Sequence, residues 1–161
     1  MRKILGLALI AWFGLAFPQS VTNSPIDEST QIENEIYYLV NVKRNSLKKV
    51  QLGIDNKIAV VARNYSKRMA KEGFFSHEDR NGENVVARVK KARIKGWRRL
   101  GENLYFGDAD SKDFAELVVD AWLSSAGHRR NLLSDDWTQM GVGVYEKSEG
   151  VFYVTQIFVE R

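Results

Sequence analysis

Residues 96–131, GWRRLGENLYFGDADSKDFAELVVDAWLSSAGHRRN, decide how the rest of the chain is read. They contain His128, one of only two histidines in the 161 residues. They also contain Glu102, in the triplet Gly101-Glu102-Asn103, followed by the apolar run Leu104-Tyr105-Phe106. A carboxylate at the head of an extended apolar segment has no obvious capping duty, so Glu102 is a functional candidate. The same triplet occurs at 82–84, where it opens a helical pattern and where an acid and an amide are expected as caps. Glu83 is therefore read as structural. The second histidine, His77, follows Phe74-Phe75-Ser76, whose two aromatics fix its position. The fold is expected to bring His77, Glu102 and His128 into one cleft.

Upstream of this stretch, two helices are expected. The first covers roughly 31–45, with Ile32, Ile36, Leu39 and Val40 on one face and Ser29 or Thr30 as cap. The second starts at Asp55 or Asn56, carries the stripe Ile58, Val61, Ala62, Tyr65 and Met69, and stops at Gly73. Residues 78–83 are a turn. Asn84 caps a short helix with Val85, Val86 and Val89 inward. Within the central stretch, 97–106 is extended. Asp110 or Ser111 caps a helix burying Phe114, Leu117, Val118, Ala121 and Trp122. Gly127 ends that helix, with His128 just beyond. Downstream, Met140, Val142 and Val144 alternate with Gly141, Gly143 and Tyr145, and 151–159 is rich in β-branched and aromatic residues. This is a hairpin. The class is α+β, with helices packed on a small, mainly antiparallel sheet.

Residues 1–20 have the shape of a secretory signal: Arg2 and Lys3, then fourteen uncharged residues from 4 to 17,. An uncleaved N-terminal anchor is the alternative, because Pro18 sits close to the best cleavage site. No other membrane span is expected. Residues 21–30 read as a linker and 31–161 as one domain. Without Arg2 and Lys3, 22 basic residues face 20 acidic ones, too even a balance to suggest nucleic acid. The denser run Lys90, Lys91, Arg93, Lys95, Arg98, Arg99 is read as a solvated face, with contact to an anionic wall polymer or membrane surface as the alternative. With no cysteine, thiol catalysis and cysteine-bound zinc are excluded. No G-x-S-x-G, phosphate loop or dinucleotide fingerprint occurs. A monomer is expected, since no long heptad or large apolar surface stripe is visible.

Two histidines and a carboxylate can hold zinc with a water in the open position. Glu102 would then be a ligand or general base. The histidines lie 51 residues apart, so no helical zinc motif applies. The competing reading is two unrelated histidines at helix ends, bonded to backbone carbonyls.

The ordered motifs Phe75-Ser76-His77, Gly101-Glu102-Asn103-Leu104, Ala121 to Leu133 (AWLSSAGHRRNLL), Met140 to Val144 (MGVGV) and Tyr153 to Phe158 (YVTQIF) resemble the CAP superfamily. That superfamily comprises cysteine-rich secretory proteins, antigen 5 and pathogenesis-related proteins of class 1. The chain is most similar to its short, cysteine-free prokaryotic branch. The resemblance implies an α-β-α sandwich, secretion to the outside of the cell or its envelope, and a central cleft of two histidines and two acids. His77, His128 and Glu102 match three of these, with Asn103 beside them. Ser125 stands where the second acid would be, which weakens any metal or acid–base role. A binding module for a small ligand, lipid or wall polymer is expected, requiring no cofactor, with zinc on His77 and His128 as the metal to consider. A zinc-assisted hydrolase using Glu102 is the alternative.

Overall fold

The computed structural model describes residues 27–108, 111–148 and 150–161. The expected leader at 1–20, most of the linker and the Asp110 cap lie outside the described residues. Along the described chain run α1 (Glu28–Ser46), β1 (Gly53–Ile54), α2 (Asn56–Glu72), α3 (Val85–Lys91), β2 (Arg99–Asp108), α4 (Ser111–Ser124), α5 (Ala126–Leu133), β3 (Gln139–Ser148) and β4 (Val151–Glu160).

Helix α2 forms as its pattern dictates. Asp55 accepts from the N–H groups of Lys57 and Ile58 at 3.0 and 3.1 Å, which satisfies donors that the first turn leaves orphaned. Ile58, Val61, Ala62, Tyr65 and Met69 are all buried. Gly73 closes the helix at φ 67°, a left-handed conformation that a side chain would disfavour. Asn84 caps α3 through Ala87 N–H at 3.1 Å, and Val89 is its fully buried residue, with Val85 and Val86 half-buried.

The sheet has the order β1-β3-β4-β2. β3 and β4 form the expected antiparallel hairpin, and β2 lies antiparallel to β4 at the sheet's edge. Because strand side chains alternate, the sheet feeds two cores. Met140, Val142, Val144, Phe152, Val154 and Phe158 pack against α1, α4 and α5. Ile157 and Val159 pack with α2 and α3, and Leu104 and Tyr153 with the end of α2. The result is an α-β-α sandwich. The helix α2 comes unusually close to β3: a Cβ on Gly143 would lie 2.0 Å from the Arg63 backbone nitrogen, and one on Gly141 would lie 2.4 Å from that of Ala59. Arg44, buried at the end of α1, donates to the carbonyls of Leu132 and Ser134 at 2.8 and 2.9 Å and so fixes α5 against α1.

Three expectations are corrected. Helix α1 starts at Glu28, so residues 28–30 are helical rather than linker, and its N-cap is Asp27, not Ser29 or Thr30. The buried face of α4 is turned: Leu117 and Ala121 are exposed, and Ala115 and Val119 are buried beside Phe114, Val118 and Trp122. The run Leu117-Val118-Val119 offers several phases of equal hydrophobicity, and packing on α1 selects one. Gly127 does not end a helix. The chain breaks at Ser125, the N-cap of α5, so Gly127 and His128 sit in that helix's first turn. The mainly antiparallel sheet stands as expected, with one short addition that was not anticipated: β1 runs parallel to β3. With two residues it carries no alternation that a sequence could reveal.

Candidate functional site

Adjacent residues of β2 face opposite layers, and this organises the site. Glu102 points to the α2/α3 layer and Asn103 to the α5 layer. Both are buried.

On the first side, the loop after α2 brings His77 to Glu102. Tyr65 donates its hydroxyl to the Ser76 carbonyl at 2.6 Å and so pins that loop. Burial pushes the Tyr65 phenol up to about 12, against the pull of the Arg88 guanidinium, so it remains a donor at neutral pH. His77 Nδ1 lies 2.8 Å from Glu102 Oε1. The other carboxylate oxygen, Oε2, accepts from Arg88. Arg88 is almost wholly enclosed: its side chain is 7% exposed and that of Glu102 is 4%. Its guanidinium lies 3.3 Å from the centre of the Tyr65 ring, within cation–π range. It also donates to the carbonyls of His77 and Glu83 at 3.2 and 3.0 Å. One arginine thus ties α2, the histidine loop, α3 and β2 together.

On the second side, Asn103 Nδ2 donates to the His128 carbonyl at 3.2 Å. Asn131, one turn further along α5, donates to Asn103 Oδ1 at 3.0 Å and to the Glu102 carbonyl at 3.1 Å. The Trp137 indole N–H donates to the Asn131 carbonyl at 3.0 Å. A Cβ on Gly101 would lie 2.8 Å from the Trp137 ring. The Gly-Glu-Asn triplet and the Gly-His-Arg-Arg-Asn segment are therefore two halves of one hydrogen-bonded joint.

Burial, and secondarily the charge of His77, hold the His128 imidazole below its ordinary value of 6.5. The folded protein thus disfavours the charged imidazole. Its contribution to stability is full above pH 6.5 and is lost as pH falls through the depressed folded value. NMR titration is expected to place His128 below 6.5, and in His77→Ala to raise it only part of the way back, because burial is the larger cause. An unchanged His128 titration in that variant would refute the coupling.

The structure brings His77, Glu102, Asn103 and His128 to one margin of β2. Ser125 holds the joint between α4 and α5, and its hydroxyl makes no capping bond. For a metal, the fit is poor. Both oxygens of Glu102 are engaged, and among the described residues no group of three histidine, cysteine, aspartate or glutamate side chains is placed to hold an ion. Two residues escaped the sequence reading. Arg88 could have been noticed as a charged residue at a stripe position, beside Val85 and Val89. Asn131 carries the same spacing from His128 that caps and side-chain bridges use, three residues along a helix. In the first triplet it is Asn84 that caps α3, and the Glu83 carboxylate accepts from Lys91 at 3.0 Å. The basic run at 90–99 is exposed and partly paired, Arg98 with Glu160 and Arg99 with Asp136.

With this geometry in hand, the sequence profile described as "Cysteine-rich secretory protein family" (CAP) matches residues 37–158. The uncharacterized membrane protein YlbC of Bacillus subtilis is 33% identical over 132 residues, which are 82% of this chain and 35% of YlbC. An extracellular protein of Bacillus anthracis containing a SCP domain is 32% identical, with a TM-score of 0.71 over 83% of this chain and 41% of that one. An outer surface protein of Borrelia burgdorferi shares the fold at TM-score 0.74 and 22% identity, over 84% and 96% of the two chains. The chain spans about a third of the length of YlbC. Among the described residues, no helix is long and apolar enough to cross a membrane.

Proposed function

Since the chain belongs to the cysteine-rich secretory protein (CAP) family, we propose that it is an extracellular or envelope-associated binding module. Its ligand, a small molecule, a lipid or a wall-associated polymer, is read by the imidazoles of His77 and His128. The observation that carries this reading is the state of Glu102. A general base needs a carboxylate oxygen free to take a proton from water. Here Arg88 holds one oxygen and His77 the other. The group is committed to building the cleft, which leaves the imidazoles as its free polar surface. The extracellular and outer-surface character of the structural neighbours supports the placement.

Zinc would meet two imidazoles and no free third ligand. Calorimetry on the full chain is expected to show weak zinc binding, lost in His77→Ala/His128→Ala. Against peptide, ester and glycan substrates no turnover is expected. Turnover in the parent protein that Glu102→Gln abolishes would overturn the binding-module reading in favour of hydrolysis. A panel of wall glycans and lipid vesicles, followed through the His128 ring signals, tests the reading directly. Silence from every class would sink it.

A further inference from the structure

Beside the cleft stands a pair of aromatic rings that the core does not absorb. Phe75 and Phe106 are 49% and 47% exposed, and their centroids lie 6.0 Å apart at an interplanar angle of 46°. Neither is loose. Phe106 is backed by Tyr153 at 4.6 Å, and Phe75 belongs to the loop pinned by Tyr65. Core packing would have covered such rings, since each removes a large apolar area from water. Two residues after Phe75, His77 turns one nitrogen to Glu102. Its Nε2 has no partner among the described residues, and the side chain is 56% exposed. Two positions after Phe106, Asp108 stands on the same face of β2 and is exposed, as is Glu78 after His77.

We propose that Phe75 and Phe106 are a stacking platform for a neutral pyranose ring of a glycan chain, with His77 and Asp108 taking its hydroxyls. This rests on the binding-module reading and names its ligand class. A pyranose has an apolar face of C–H bonds, which aromatic rings cover, and a rim of hydroxyls, which carboxylates and imidazoles accept. Asp108 and Glu78 place carboxylates near the rings, and the exposed Arg80, held on the Glu72 carbonyl at 2.8 Å, offsets one of them, so the surround carries little net charge, as suits a neutral sugar. Glu102 adds no net charge, because Arg88 neutralises it.

The test is an amide-resolved NMR titration of the full chain with a soluble chitin oligomer, beside Phe75→Ala, Phe106→Ala and Phe106→Tyr. Shifts are expected at 75–78 and 106–108. Each ring removed should weaken binding about tenfold, the scale of a single aromatic contact, and Phe106→Tyr should retain it. Both positions are half-exposed, so unaltered core signals will certify the fold. Shifts confined to His128 and Asn131 would overturn the platform yet leave the binding module standing. An absence of shifts at millimolar oligomer would overturn it too. Vesicle binding lost in Phe106→Ala, without any sugar response, would assign the rings to lipid and overturn the glycan class.

Discussion

Arg88→Met is expected to lower the unfolding free energy by about 3–5 kcal/mol, the usual cost of stranding one partner of a buried ion pair. The Glu102 carboxylate would keep only His77, which is itself more than half exposed. Three further anchors vanish with the guanidinium: the His77 and Glu83 carbonyls and the Tyr65 ring. His77→Ala removes one bond at the surface of the same network and should cost about 1–2 kcal/mol. The decisive variant is Arg88→Met/Glu102→Leu. With both charges gone, no buried charge is left unpaired, and much of the loss should return, although the His77 carbonyl still lacks its donor,. Urea unfolding measures all three. A single-variant cost below that of His77→Ala would remove Arg88 from the centre of the cleft.

Gly143→Ala should destabilise by about 3 kcal/mol, at the upper end of overpacking costs. The new methyl would meet the α2 backbone at 2.0 and 2.3 Å, and a helix axis cannot move aside as a side-chain tip can. Gly141→Ala should behave alike, against Ala59 N at 2.4 Å. Gly53→Ala is the control. Its Cβ would find its nearest neighbour at 3.6 Å, so the reduced freedom of the unfolded chain should leave it neutral or about 0.5 kcal/mol more stable. Thermal unfolding of the three variants separates close approach from the general effect of replacing a strand glycine. Equal losses at 53 and 143 would refute it.

How much of this could be read beforehand depends on the range of the interaction. Helix α2 was legible because its cap, its stripe and its glycine stop lie within twenty residues of one another and agree. The hairpin was legible through its alternation. The glycines of β3 looked like filler in that alternation. Their purpose is set by a helix about eighty residues upstream. Ser125 and Gly127 misled because a glycine after a helical stripe is usually a terminator, whereas here the chain turns at the serine and resumes. The closeness of His77 and Glu102 left no local trace either, being a contact between a loop and a strand. The scarcity of histidines suggested it, and the family resemblance gave it weight. Arg88 was hidden by its neighbours, since a charge inside Val-Val-Ala-Arg-Val reads as a surface residue until the carboxylate it serves is located.

The outer margin of β2 has one more consequence. An unpaired strand at the border of a sheet invites the strand of another molecule. Here two carbonyls on that border are already taken: Leu104 accepts from the Trp122 indole at 2.9 Å and Glu102 from the Asn131 amide at 3.1 Å. An incoming strand would have to displace a buried tryptophan and dismantle the joint beneath His128. The joint that shapes the cleft, together with Trp122, thus occupies part of the edge on which a strand of another copy would have to pair.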